Sequence, residues 1–407
     1  MSFERLIAER FLRKDKSSFS RPLIRIATCS IALSVVVVMM AVSILRGFQR
    51  SITEKIVGFG SHIVVTPFES RNNYYEQMPV VADSAMVATL AETPGVKHVQ
   101  FFANKGGMVK TADKIHGIIF KGIGQNFDST FFKANMRKGR LFDISGDKPS
   151  NEVVVSQRFA DKMELSIGDK LPTYFWQDNN YRARAFTVVG IYSTDLTEFD
   201  ERFVIGDMRH IQRINGWDSA QVQGYEVFVN DFDKLDQTAE LVNNTVGSFL
   251  TVRTVKQENP DTFSWLDLLN ANIVLILSIM TLVCVVAVVS ALLIMIFEKT
   301  SMIGLLKTLG ATNGSVRKIF IYKSVGIIAK GVIAGDAIAL TLCLLQDKFN
   351  LVKLDSESYN MSSVPIDINP WIFIAFSVGM AAVCLLALLV PASYIARINP
   401  AKAVKTE

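Results

Sequence analysis

Charge is scarce in this chain: 20% of its 407 residues are Asp, Glu, Lys or Arg, while 50% are hydrophobic. That balance is more apolar than an ordinary soluble domain, and the excess is not spread evenly along the chain. The marks of an enzyme are missing as well. No Gly-Lys dipeptide occurs, so the chain has no lysine loop to cradle nucleotide phosphates. The four histidines (His62, His98, His116 and His210) are scattered, none in H-E-x-x-H or beside a cysteine, which argues against a zinc site. Gly-x-Ser-x-Gly is absent. Gly58-Phe59-Gly60 and Gly122-Ile123-Gly124 are isolated pairs without a βαβ frame. The expectation is a chain with no catalytic residue, no metal and no cofactor of its own.

Cysteine is sparse too, and its placement is informative. Cys29, Cys284, Cys343 and Cys384 all fall inside hydrophobic runs, so the long polar segment between the first two runs has no disulfide framework. That segment must stand on its own hydrophobic core, which its length permits.

What is present in abundance is long apolar sequence. Ile26 to Leu45, Leu268 to Phe297 and Ile368 to Ala396 contain no charge at all. About twenty apolar residues suffice to cross a hydrocarbon layer of about 30 Å. A fourth run, Ser324 to Leu345, is interrupted by Lys330 and Asp336 and is still read as a span, because an odd number of crossings would contradict the charge pattern.

The net charge of +5 is unevenly placed, which argues against nucleic acid as partner. Residues 1–25 hold seven Lys/Arg against three acids, residues 298–323 five against one, and residues 397–407 three against one. Residues 47–267 are net acidic, with 24 basic and 28 acidic side chains. Basic flanks belong on the cytoplasmic side. Both termini and the 298–323 loop are therefore expected in the cytoplasm, and residues 47–267 and 347–369 outside. The first run begins late and ends in Arg46-Gly47-Phe48-Gln49 with no small-x-small site, so it reads as an uncleaved anchor.

The expected organisation is an α-helical membrane protein of four spans with a large α+β domain inserted between the first and second. In order these are an amphipathic cytoplasmic helix within residues 1–21, span one at 22–48 and the outer domain at 49–266. Span two follows at 267–297, a cytoplasmic loop or helix at 298–318 and span three at 319–346. A short outer loop at 347–369, span four at 370–396 and a tail at 397–407 complete the chain. Residues 2–13 carry Phe3, Leu6, Ile7, Phe11 and Leu12 at near-helical spacing, which suits an interfacial helix, a disordered basic tail being the alternative. Within the outer domain, His62–Thr66, Glu152–Val155, Ala185–Val189 and Tyr225–Val229 read as strands. Asp83–Ala91, Gln157–Met163 and Asp233–Val242 read as helices.

Ionisable residues inside a span must face protein or water. Lys330 and Asp336 lie six residues apart, about 120° around a helix, so they do not pair directly. Either they relay protons or ions, or Lys330 reaches the headgroups while Asp336 is held by another span. Gly331-x-x-x-Gly335 beside them offers a face for close helix packing.

The most informative stretch is Glu298 to Phe320. Ile303, Leu306 and Leu309 form one stripe on a short helix that Gly310 ends, and Thr312 or Asn313 can cap the next helix. Such a helix either transmits force from a soluble partner or rests on the headgroups.

This stretch resembles the FtsX-like permease signature, in which Glu-Lys, an Ile-Gly-x-Leu-Lys run and Leu-Gly-Ala form the coupling loop that contacts the ATPase. Pro391-Ala-Ser-Tyr-Ile-Ala-Arg-Ile-Asn-Pro-Ala401 is similar to the family's ending. Within the family, the chain is similar to the lipoprotein-releasing (Lol) permeases along nearly its whole length. The pieces include Ser43 to Arg50, Pro94 to Val96, Phe120 to Gly124, Phe199 to Val204 and Leu354 to Tyr359 before Val364-Pro365.

The resemblance implies a permease subunit for extracting lipoproteins from the inner membrane, paired with a second copy or a paralogue. A separate ABC subunit would bind ATP and Mg. The coupling residues it implies are Glu298, Ile303, Gly304, Leu306, Lys307, Leu309 and Gly310. Cargo would enter from the outer leaflet between spans one and two, with Val42, Leu45, Phe48, Ile273 and Ile276 as candidate lining. A periplasmic chaperone would receive it. Members that dock the chaperone carry a Pro-containing hook before the strand matched here by Ala185–Val189. Here the corresponding Pro172–Arg184 is short, and Tyr174, Phe175, Trp176 and Tyr181 dominate it as packed core or as a docking surface. Two other readings stay open. One is an FtsX-like permease for small molecules or cell-wall hydrolases, the other a membrane sensor with no ATPase partner.

Overall fold

The computed structural model describes residues 20–68, 78–111, 114–146, 148–355 and 359–394. The expected helix at residues 2–13 and the tail at 397–407 lie outside them. In chain order the elements are α1 Ser20–Phe59, β1 Ile63–Pro67, β2 Val80–Val81, α2 Ser84–Glu92, β3 Val96–Lys110 and β4 Ile115–Ile123. Then come α3 Thr130–Asn135, β5 Met136–Gly139, β6 Glu152–Ser156, α4 Gln157–Met163, β7 Lys170–Gln177 and β8 Asn180–Tyr192. Next are α5 Thr197–Arg202, β9 Phe203–Asp207, α6 Met208–Asn215, β10 Gln221–Val222, β11 Gly224–Val229, α7 Leu235–Val246, β12 Leu250–Thr254 and α8 Val255–Glu258. The last are α9 Pro260–Glu298, α10 Thr300–Thr308, α11 Asn313–Phe349, α12 Pro370–Ala387 and α13 Leu389–Tyr394.

The chain divides into two compact units. One holds residues 1–50, 265–353 and 364–407, the other residues 51–264 and 354–363. Four helical segments are long and apolar enough to cross a membrane: Ile24–Phe59, Pro260–Glu298, Asn313–Phe349 and Pro370–Ser393.

In the helical unit, α1 and α11 approach closely. A Cβ built on Gly331 would lie 2.7 Å from the Ile31 Cβ, and one on Gly335 2.7 Å from the Val35 Cβ. The two glycines are thus notches for two β-branched side chains one turn apart, as small-xxx-small packing requires. Asp336 accepts a 2.8 Å bond from the Ser377 hydroxyl, tying α11 to α12, while Lys330 is exposed. Asp336 is thus held by a neighbouring helix of the unit, as one of the two readings expects. At the other end of α1, the Asp367 N–H donates to the Ser43 carbonyl, and a Cβ on Gly47 would strike the Pro365 carbonyl at 2.4 Å.

The α+β unit is built on one large sheet of order β12-β1-β11-β3-β4-β9-β6-β8-β5. Strand β7 pairs with both β3 and β8, so β3, β4, β9, β6, β8 and β7 close into a ring. Its interior is a core of Phe120, Val153, Val155, Leu171, Phe175, Phe186, Val188 and Val204. The helices are capped as their sequences suggest. Asp83, Ser156 and Asp207 each accept a backbone N–H at a helix start, and Thr254 with Gln257 completes a capping box.

Two expected boundaries differ. Helix α1 runs to Phe59, past residue 48, because nothing between Gln49 and Phe59 breaks a helix. Phe59 is buried against Phe131, Phe132, Tyr192, Phe199 and Phe203, with centroids 5.1–5.9 Å away. The loop at 347–369 is not free-standing either, since residues 354–363 belong to the α+β unit. Asn360 sits at φ 55. Its carbonyl accepts from Lys55 Nζ at 2.9 Å, and its side-chain oxygen accepts from the Thr197 N–H at 3.1 Å.

One face of this sheet is polar at its centre. Lys121 and Glu226 form an ion pair with 1% and 2% of their side chains exposed, and Gln100 Nε2 donates to Glu226 at 2.7 Å. Burial pushes the Glu226 carboxyl up, and Lys121 works against that shift. Removing one member of a buried pair strands the other without a partner. Glu226→Ala should therefore lower the stability of the α+β unit by about 3–5 kcal/mol, whereas Lys121→Met with Glu226→Leu should recover most of it. Urea titration of the detergent-solubilised chain, followed by tryptophan fluorescence, measures both.

His62 links the stability of the α+β unit to pH. Its Nδ1 accepts from the Val229 N–H at 3.3 Å, so the bond needs the neutral ring. Burial, with Lys97 nearby, lowers its pKa from 6.5 to about 4. A depressed histidine pKa means the neutral ring favours the fold. That contribution is complete above pH 6.5 and is lost as pH falls through about 4. It amounts to about 2–3 kcal/mol. His62→Asn keeps an acceptor that does not titrate in this range, so its melting temperature should fall less between pH 7 and pH 4 than that of the unchanged chain.

Candidate functional site

Helix α10 lies between α9 and α11, and its ends are fixed locally. Leu309 closes it, Gly310 follows at φ 91, a backbone angle that favours glycine, and the Gly310 N–H bonds the Lys307 carbonyl at 3.1 Å. Helix α11 then starts at Asn313, with the Thr312 hydroxyl accepting the Ser315 N–H at 3.2 Å. Glu298 ends α9, 3.9 Å from Lys299.

The stripe of Ile303, Leu306 and Leu309 does not face one way. Ile303 is fully buried in the core of the helical unit with Val316, Phe320 and Ile296, and Gly304 is buried beside it. Leu306 is half-buried against the same core and against Ile319. Leu309 alone of the three points out, 77% exposed. Lys307 is half-buried, and Gly310 is exposed. The outward face is instead Ser301, Leu305, Thr308 and Leu309, with Leu305 52% exposed. Sequence reasoning missed Leu305 because this helix is apolar on both sides. The signal that could have found it is the i, i+4 pair Leu305/Leu309, offset from the i, i+3 pair Ile303/Leu306.

Of the candidate cargo-path residues, Val42 is buried in the helical unit. Leu45, Phe48, Ile273 and Ile276 are half-buried. Gln49 Nε2 donates to Asn270 Oδ1 at 2.9 Å, bringing the end of the first apolar run next to the start of the second. Phe48 and Ile273 stand beside that bond in sequence.

The aromatic segment is the β7–β8 hairpin. Asp178 and Asn179 occupy its turn with φ 51 and 58, the geometry of a two-residue type I′ connection. Phe175 is fully buried against Phe120 and Phe186, so it is core and not docking surface. Tyr174 is half-buried. Trp176 and Tyr181 pair across the hairpin with centroids 4.9 Å apart and stand 38% and 55% exposed.

On the polar face of the sheet lies a cavity of about 240 Å³ lined by Thr66, Asn104, Lys121, Glu226, Arg253 and Glu258, among others. Thr66 Oγ1 and Asn104 Oδ1 reach no protein partner there. The space is polar and roomy enough to hold ordered water on those two atoms.

Residues 26–262 match the MacB-like periplasmic core domain, and residues 274–400 match the FtsX-like permease C-terminal domain. The chain belongs to the FtsX-like permeases with a MacB-like core. Curated relatives run the length of this FtsX-like permease. The lipoprotein-releasing system transmembrane protein LolC of Xylella fastidiosa is 23% identical over 98% of both chains. LolC of Haemophilus influenzae is also 23% identical, again over 98% of both. LolE of the same organism is 20% identical over 97% of this chain and 96% of its own.

The hairpin separates two roles by mutation. Phe175→Ala empties a core position and should cost about 3–5 kcal/mol. Trp176→Ala removes a partly exposed ring and should change stability by less than about 1 kcal/mol. Urea titration of the two variants in detergent checks the contrast, and equal losses would contradict the hairpin packing.

Proposed function

We propose that this chain is the permease subunit of an ABC-type complex that extracts lipoproteins from the bacterial inner membrane for transfer toward the outer membrane. The observation that carries the reading is similarity to LolC and LolE proteins along the whole chain, including the helix between the second and third spans. In this reading both termini and α10 are cytoplasmic, and the α+β unit is inserted between spans one and two on the periplasmic side. The basic flanks favour that orientation.

A separate ATP-binding subunit supplies the energy and holds ATP and Mg, since this chain has no phosphate-binding lysine loop. The working unit contains two permeases, a second copy or a paralogue; the similarity of this chain to both LolC and LolE of one organism suits either. Cargo enters between spans one and two, past Leu45, Phe48, Ile273 and Ile276. The exposed Trp176–Tyr181 pair offers a periplasmic chaperone an aromatic contact of the kind that carries binding energy at interfaces.

Within this reading, α10 couples the ATPase through Leu305 and Leu309, because Ile303 and Leu306 are already engaged by its own bundle. A charge buried in a partner's groove without a counter-charge costs several kcal/mol. Leu309→Glu should therefore abolish co-purification of the ATP-binding subunit in mild detergent and stop lipoprotein release, while leaving the permease as stable as before. Leu306→Glu should instead lower the stability of the permease itself. Normal assembly and release by Leu309→Glu would reject α10 as the coupling element.

A further inference from the structure

Two thiols meet inside the helical unit. Cys284 on α9 and Cys384 on α12 stand with their sulfurs 3.2 Å apart, though 100 residues separate them in sequence. Both are fully buried, in a core that includes Val288, Met380 and Leu388. A bonded pair of sulfurs lies about 2.05 Å apart, so about 1 Å of approach separates this contact from a covalent bond. Neither thiol serves any role in the proposed cycle, and the contact depends on no reading of the cargo.

We propose that Cys284 and Cys384 are a disulfide site, closed by an uncharged two-electron oxidant that dissolves in lipid. The reaction breaks both S–H bonds and forms one S–S bond; two electrons pass to the oxidant and two protons leave. The oxidant must be uncharged because the sulfurs are sealed from water by apolar side chains, where a charged reagent would be desolvated at high cost. Proximity favours the reaction, since two groups already held in contact react as one molecule. Burial also limits the alternatives, because the intermediate formed on one sulfur meets the other thiol before water can reach it. The product staples α9 to α12. Asp336 and Ser377 already tie α12 to α11, so oxidation would fix three of the four long helices relative to one another.

Molecular iodine, reduced to iodide in the reaction, is a suitable probe on the full chain in lipid vesicles. After quenching and denaturation, free thiols are counted by the gel shift of a maleimide-linked polyethylene glycol. The chain has four thiols, so the count should fall from four to two. A variant with Cys29→Ser and Cys343→Ser leaves the pair untouched and should fall from two to none. It should run as a monomer on a non-reducing gel and recover both thiols when reductant is added after denaturation. Mass spectrometry should find the Cys284 and Cys384 peptides joined, lighter than their sum by two hydrogens. Cys284→Ala and Cys384→Ala should each keep three thiols. Retention of both thiols in the double-serine variant, a loss that reductant does not reverse, or a cross-link between chains would each overturn the proposal.

Discussion

Lipid provides no hydrophobic force between apolar helices, so helices in a bilayer associate where their surfaces fit and where polar groups can meet. In this chain that constraint falls on Gly331 and Gly335 of α11, which leave no room for any side chain of their own against Ile31 and Val35 of α1. Fixing α11 against α1 has consequences along its length. Immediately after Gly335, Asp336 is presented to Ser377 of α12 and is satisfied there instead of facing hydrocarbon alone. At the far end, Val316 and Phe320 join the core that receives Ile303 of α10. The position of the loop helix thus follows from a packing decision made by two glycines, one of which stands beside Asp336, the only acid in span three.

The loop helix was legible in the sequence as an element and misread as a surface. Its length, its glycine stop and the capping threonine after it all follow from local rules, and each is found where those rules put it. Its orientation does not follow from them. Met302, Ile303, Leu305, Leu306 and Leu309 surround the helix, so an apolar stripe can be drawn on more than one side. The tertiary core decides, by taking Ile303 completely and leaving Leu305 and Leu309 outside. A helix with apolar residues both on its docked side and on its free side has more exposed apolar surface than anchoring to its own bundle requires, which suits an element that meets a second protein.

The α+β unit divides in the same way. Short strands of branched residues, such as Glu152–Ser156 and Gly224–Val229, are central or fully paired and announce themselves by composition. The long strands β3 and β4 do not. They contain Gly106, Gly107, Gly117 and Gly122 and several lysines, a pattern that argues against strands when read locally. The structure explains the composition. A Cβ on Gly107 would lie 3.0 Å from the Phe175 ring, and one on Gly122 would lie 2.6 Å from the Met208 backbone. Lys121 is inward-facing because Glu226 on β11 awaits it across Phe102, whose ring lies 5.7 Å below the ammonium group. Glycine and lysine are strand residues here because of partners that lie 68 to 105 residues away, and no local rule contains that information.

The β7–β8 hairpin shows how one constraint can build core and surface at once. Side chains alternate along a strand, so burying Phe175 exposes Trp176, and pairing Trp176 with Tyr181 fixes which residue of β8 shares that face. A slip of one residue would bury Trp176 in place of Phe175, and the interior, already filled by Phe120 and Phe186, has no space shaped for an indole. The slip is resisted at the turn. Asp178 and Asn179 both hold positive φ, which matches the strand twist only when those two residues are the connection. The four aromatics were therefore neither all core nor all surface. Their sequence order assigns each to one side, and the turn residues fix which side each takes.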